Sequence, residues 1–244
     1  IIHGWGNDQS FFVGSFDDID HQSRDTLTSN SFYILCGFYK YHPEYVSAVL
    51  EAYSKLEGKY GFKTFDPYFG KESSAVGRIV NLPKGTAENA ATYIHASVFA
   101  LDSLFLINKP EMAWKERSKL VPFNHDFIST TPFVMPNSYV YNPEIGCDGE
   151  SRNDWFTGSS STLFKSLVRN AFGFDPHLNG VYLHPATYFP FMKAEMKISF
   201  RNKRITIHFT KSEEEAIILL DGNKLDIVQE RGGFRKTTAF IPYS

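Results

Sequence analysis

Cysteine is scarce in this sequence. Only Cys36 and Cys147 occur in 244 residues, and neither belongs to a CxxC pair. That excludes a disulfide framework or a thiolate zinc site and fits two reduced thiols in a cytosolic protein. Net charge is also small, −2 at neutral pH. Without a broad basic field, neither nucleic acid nor an anionic membrane surface has an electrostatic footprint to bind. Long apolar runs are missing too: none approaches the ~18 residues of a membrane span, and no basic-then-apolar leader opens the chain. The sequence starts at Ile1 rather than Met, so a fragment with its upstream part missing is expected.

What is present is ordinary globular usage with one excess. Hydrophobic residues make up 42% and charged residues 21%, which argues against disorder, while 23 Phe, 13 Tyr and 3 Trp bring the aromatic share to 16%. Such rings fill cores, and they also stack on sugar faces. A chain of this length can form one large domain or two unequal ones.

Helical spacing dominates residues 29–172. Tyr45, Val46, Val49, Leu50, Tyr53 and Leu56 trace one stripe behind Pro43 and ahead of Gly58, which predicts an amphipathic helix. Residues 31–37 are apolar nearly all round and predict a buried partner helix. Further helices are expected over 93–105, 110–120 and 161–172. Between them, 121–154 is rich in Pro and Gly and reads as a long functional loop. After Asn179-Gly180 the period falls to two. Met196, Ile198 and Phe200, then Ile205, Ile207 and Phe209, predict a hairpin around a turn at 201–204, with further strands at 216–220 and 237–241. The charge run 211–215 reads as a solvated turn. The expected fold class is mostly α with an all-β C-terminal part, divided into 1–179 and 180–244.

Two segments place polar groups where a core would want none. In Gly85 to His95, helical spacing would set Glu88, Ala91 and His95 on one face, so that Glu88 and His95 address one pocket. From spacing alone, the better reading of the same residues is a capping carboxylate and a satisfied core histidine. In Arg152 to Ser161, hydroxyls and Gly158 at a helix start offer donors to an anion, which is phosphate chemistry without a Walker lysine. An ordinary Ser/Thr N-cap explains that segment as well. Asp17, Asp18, Asp20, His21 and Asp25 have hard-metal ligand types but no calcium-loop spacing, so a solvated or substrate-facing loop is the better reading.

The segments Glu88-Asn89-Ala90-Ala91-Thr92-Tyr93-Ile94-His95-Ala96, Trp155-Phe156-Thr157-Gly158-Ser159 and Gly173-Phe174-Asp175-Pro176 together resemble the C-terminal half of glycoside hydrolase family 94. The likeness extends to Asn7-Asp8 through Gly14-Ser15, to Ser31-Phe32 and to residues 180–190. It implies the C-terminal half of an (α/α)6 barrel followed by β-sandwich strands. It implies an inverting phosphorylase that converts a β-linked gluco-oligosaccharide and inorganic phosphate into α-D-glucose 1-phosphate and a shortened sugar, with no cofactor and no metal. By the same likeness His95, Thr157, Gly158 and Ser159 contact phosphate, and Glu88, Asn89 and Trp155 contact the sugar. The chemistry is coherent, since phosphate arrives anionic and needs no second carboxylate to activate it, so one general acid suffices.

The departures from the family pattern carry information. Glu-Asn-Ala-Ala replaces Glu-Asn-Gly-Gly, and Thr131-Pro132-Phe133 stands where many relatives have Glu-Pro-Tyr, which points toward β-1,2-linked glucans. The family's proton-donor Asp precedes everything in this chain, and Asp8 is not assigned that role. The expected partners are the oligosaccharide and phosphate, with a homodimer or association with the missing upstream part left open. The competing readings are a glucan hydrolase or glucan-processing domain on the same barrel, and a non-catalytic sugar-binding fragment.

Overall fold

Helix α1 (Leu27–Leu35) begins where Asn30 and Ser31 turn their side chains back on the chain: Asn30 Nδ2 donates to Thr26 O and Ser31 Oγ to Leu27 O, each at 2.7 Å. Both polar residues can therefore be buried beside Leu27 and Ile34. The computed structural model describes residues 25–125, 132–155, 157–214, 216–228, 234 and 237–243. Asn7-Asp8, Gly14-Ser15, the set Asp17, Asp18, Asp20 and His21, and also Thr131, Phe156 and Glu215, lie outside the described residues. Helix α1 is less buried than its composition predicts. Phe32 is 46% exposed and stands edge-on to Phe99 at 5.2 Å, because Leu27, Ser31 and Ile34 already fill the inner face.

Helix α2 (Val46–Leu56) follows a short 3₁₀ turn at Pro43–Tyr45 and buries Val46, Val49, Ala52, Tyr53 and Leu56, the stripe that the periodicity predicts. It stops where Glu57-Gly58 pairs with Gly61-Phe62. Helix α3 (Ile94–Leu106) is buried on most of its surface and packs against α1 and against α4 (Pro110–Leu120). One phenol joins three of these helices. Tyr53 Oη bonds Ser31 Oγ at 2.8 Å and Ser103 Oγ at 2.6 Å, and burial pushes the phenol up to about 12, so it stays neutral in the core.

Two expectations shift in this region. The expected loop 121–154 contains strands β2 (Ser138–Tyr139) and β3 (Ser151–Arg152), which form a three-stranded antiparallel sheet with β1 (Thr92–Tyr93), β2 being central. The last helix, α5 (Thr157–Ser166), starts four residues before the expected 161 and runs into a π-helical turn at Leu167–Ala171.

The chain then becomes β. Strand β4 (Phe174–Pro176) pairs with β5 (Gly180–Leu183), which pairs with β8 (Ala239–Pro242). The long hairpin β6 (Lys193–Phe200) and β7 (Lys203–Thr210) turns on Arg201 and Asn202, both at positive φ, in the manner of a two-residue hairpin loop. Its apolar residues are half-buried, and Phe209 packs on Phe172 and Phe189. The expected strand at 216–220 is reduced to Leu219–Leu220, paired with Asn223–Lys224. Residues 211–214 are exposed, as a solvated turn requires. Trp114 ties α4 to the β part by donating Nε1–H to Tyr188 O at 3.1 Å.

Candidate functional site

The small β1-β2-β3 sheet sets two helix starts side by side. Strand β1 leads directly into α3, and β3 leads through Asn153, Asp154 and Trp155 toward α5. Asn137, just before β2, serves both. Its carbonyl accepts the Ile94 N–H at 2.9 Å, and its own N–H points at the carbonyls of Arg152 and Asn153, each at 3.0 Å. The two helices are pinned again deeper in, where the half-buried Asp102 of α3 accepts from Asn170 Nδ2 of the turn that continues α5, at 2.7 Å. Burial raises the Asp102 carboxyl, more than hydrogen bonding lowers it.

His95 occupies the first turn of α3, half-buried, with its ring 4.9 Å from that of Phe99. Its Nε2 lies 3.3 Å from Thr162 Oγ1, and Thr162 Oγ1 donates to Gly158 O at 2.7 Å. A threonine hydroxyl has one proton and it is given to Gly158, so His95 Nε2 is the donor to Thr162. Gly158 is exposed, and a Cβ built there would meet nothing within 4 Å. Ser159 is buried, 2% exposed. Among the described residues no carboxylate bonds His95 or Thr162. Open space, a helix N-terminus and an imidazole with no competing anion make a place where an anion is stabilised.

Trp155 stands at the mouth, 74% exposed, with φ +69. A bulky side chain rarely takes that conformation, and its cost is of order 1–3 kcal/mol. Strain therefore lies in the segment that aims α5.

Glu88 and Asn89 are placed differently from the helical-face expectation. Thr92 and Tyr93 are drawn into β1, and Ala87 and Ala90 both have positive φ, so no helix runs from Glu88 to His95. Glu88 sits in a turn and pairs with Arg78 Nη2 at 3.0 Å, its side chain 42% exposed. Asn89 is wholly buried. Its Oδ1 accepts from Phe69 N at 2.9 Å, and its Nδ2 donates to Phe69 O at 3.0 Å and Leu82 O at 2.9 Å. Freeing such a buried amide would cost ~1–3 kcal/mol per orphaned group, so Asn89 braces two loops. Gly85 makes that turn feasible: its φ is +70, and a Cβ there would fall 2.0 Å from Tyr141 O.

Sequence reasoning passed over Thr162 and Asn137. The position of Thr162, four residues after Gly158, was the available signal. It also passed over Glu116 of α4, whose carboxyl is buried to 1% exposure and pushed by desolvation up to about 7 despite Lys119 Nζ at 2.6 Å. A carboxyl held near neutrality is a mark of acid catalysis. Its bonded partner is Lys119, which also reaches Glu57, and no residue of the two helix starts bonds it.

The profile described as glycosyl hydrolase 94 superfamily, catalytic domain, matches residues 6–173. The chain is similar to a cellobionic acid phosphorylase of Neurospora crassa, 24% identical over 214 residues that span 84% of this chain and 27% of that protein. It is also similar to a 3-O-beta-D-glucopyranosyl-beta-D-glucuronide phosphorylase of Paenibacillus borealis, 24% identical over 213 residues, 82% of this chain and 27% of that protein. The chain thus spans about a quarter of the length of these curated relatives. With most of its length inside the matched region, the chain belongs to the glycosyl hydrolase 94 superfamily, whose catalytic domain supplies both helix starts.

Proposed function

We propose that the chain supplies the phosphate side of an inverting glycoside phosphorylase. The observation that carries this reading is the His95–Thr162–Gly158 chain of hydrogen bonds at the open start of α5, with no bonded carboxylate among the described residues. Phosphate enters as an anion, is held by His95, by the first turn of α5 and by the hydroxyl of Thr157, the last on family likeness, and attacks the anomeric carbon. With Nε2–H given to Thr162, contact between phosphate and Nδ1 requires that ring nitrogen to carry a proton as well. Trp155 offers a ring face to the sugar and Glu88 a carboxylate to its hydroxyls, while Asn89 holds the Glu88 turn in place. The leaving oxygen is protonated by an acid outside these residues.

The reading includes an (α/α)6 barrel segment over 1–179, β-sandwich strands over 180–244 and a cytoplasmic setting, in keeping with two free cysteines. Among the described residues no helix is long and apolar enough to cross a membrane. The substrate proposed is a β-1,2-gluco-oligosaccharide, on the strength of Ala90-Ala91 and Thr131. A second acceptor class has its own support, since both relatives are named for acidic disaccharides.

The complete enzyme carrying this chain is expected to release glucose 1-phosphate from its sugar only when phosphate is present. Cleavage at an equal rate in phosphate-free buffer would identify a hydrolase and sink the proposal. Running neutral β-1,2-gluco-oligosaccharides beside cellobionic acid and a glucosyl glucuronide separates the two acceptor classes.

A further inference from the structure

The C-terminal part of helix α5 borders a groove. Beyond Thr162, which bonds His95, Phe164 and Lys165, with Arg169 of the π-helical turn, line one side of a groove of about 470 Å³. Phe174 and Asp175 of β4 and Phe200 of β6 line the other. That volume falls within the range of small-molecule sites. The groove combines two chemistries. Phe164 is 69% exposed, and the half-buried Phe200 stands edge-to-face on the buried Phe174 at 5.4 Å, so the rings of Phe164 and Phe200 present aromatic surface to the groove.

The charges are unbalanced in a way that selects the ligand. Asp175 is ion-paired: Oδ1 lies 2.6 Å from Arg169 Nε, and Oδ2 lies 3.2 Å from His177 Nε2 and 3.3 Å from His184 Nε2. Burial opposes its ionisation, but His184, Arg169 and His177 together hold the carboxyl well below the usual range. Asp175 is therefore a carboxylate set against the Nε edge of the guanidinium. Lys165 has no ion-pair partner among the described residues, and Arg169 is 45% exposed with its outer nitrogens unbonded among them. Two cations and one ion-paired carboxylate leave the rim positive. A neutral sugar would find few acceptors there, and a long polyanion would find only two cations.

We infer that this groove binds an anionic sugar, a pyranose bearing one phosphate or carboxylate, with its apolar face on Phe164 and Phe200 and its anion on Lys165 and Arg169. The groove lining does not include His95, Gly158 or Thr162, and the inference does not depend on the phosphorylase reading.

Calorimetric titration of the complete enzyme with glucose 1-phosphate, glucuronate and glucose tests the inference. At least one of the two anionic sugars is expected to show a binding event that survives His95→Ala and weakens at least about tenfold in Lys165→Glu. Phe164→Ser, an exposed position, is expected to weaken the same event without lowering the melting temperature. Preference between phosphate and carboxylate names the source of the anion. Binding abolished by His95→Ala and untouched by Lys165→Glu would assign it all to the His95 site and overturn the inference. So would glucose binding as tightly as its anionic counterparts, or no event beyond the one that His95 controls.

Discussion

The two helix starts at the site solve the same problem in opposite ways. Every α-helix begins with backbone N–H groups that lack intrahelical partners. At α3 the protein satisfies the need itself: the Ile94 N–H is given to Asn137 O, and the surrounding residues are buried. At α5 the first turn faces outward at Gly158, with empty space where a side chain would be. One start is closed and holds His95 still; the other is open and can receive an anion. An exposed first turn of a helix is suited to an anion, and here the two starts are joined through the bond between His95 and Thr162.

The largest effect expected from this contrast is at His95. Replacing it with Ala removes a charge-assisted donor, ~1.5–3 kcal/mol, so the apparent KM for phosphate in the complete enzyme should rise by at least about tenfold while that for sugar changes much less. Equal changes in both would show that His95 only supports the fold. A smaller and sharper effect is expected at Gly158. Alanine there meets no atom within 4 Å and is a better helix former by up to ~1 kcal/mol. Gly158→Ala should therefore hold or raise the melting temperature while raising the phosphate KM several-fold, since the methyl group occupies the anion's approach. A cap with no ligand would show the stability gain without the affinity loss.

Some of this was readable from the residues and some was not. The stripe from Val46 to Leu56 and the alternation from Met196 to Phe209 are local patterns, and both became the predicted elements. Glu88 and His95 were expected on one helix face because their spacing fits. That expectation fails through β1, whose partner at Ser138–Tyr139 is distant in sequence and invisible to periodicity, and through Ala87 and Ala90, which hold positive φ without being glycine. Thr157-Gly158-Ser159 was expected just ahead of a helix and lies in its first turn instead. The role of Thr162 depends on His95 arriving from another element, so only the folded arrangement reveals it.

The junction behind the two starts gives the smallest and most specific test. Asp102 sits between α3 and the π-helical turn after α5, with its carboxyl raised by burial above the ordinary value of about 3.9. A raised carboxyl means that the folded state holds its proton where the unfolded chain has already lost it. Its contribution is fully present below pH ~4 and is lost as pH rises through the folded-state value. Asp102→Asn keeps an acceptor for Asn170 and cannot ionise. Thermal melts should therefore show the variant gaining on the parent as pH rises from about 4 toward neutrality. Parallel melting curves across that range would mean that Asp102 is solvated. The alignment of the open start against the closed one would then rest on the sheet and on the bond between His95 and Thr162.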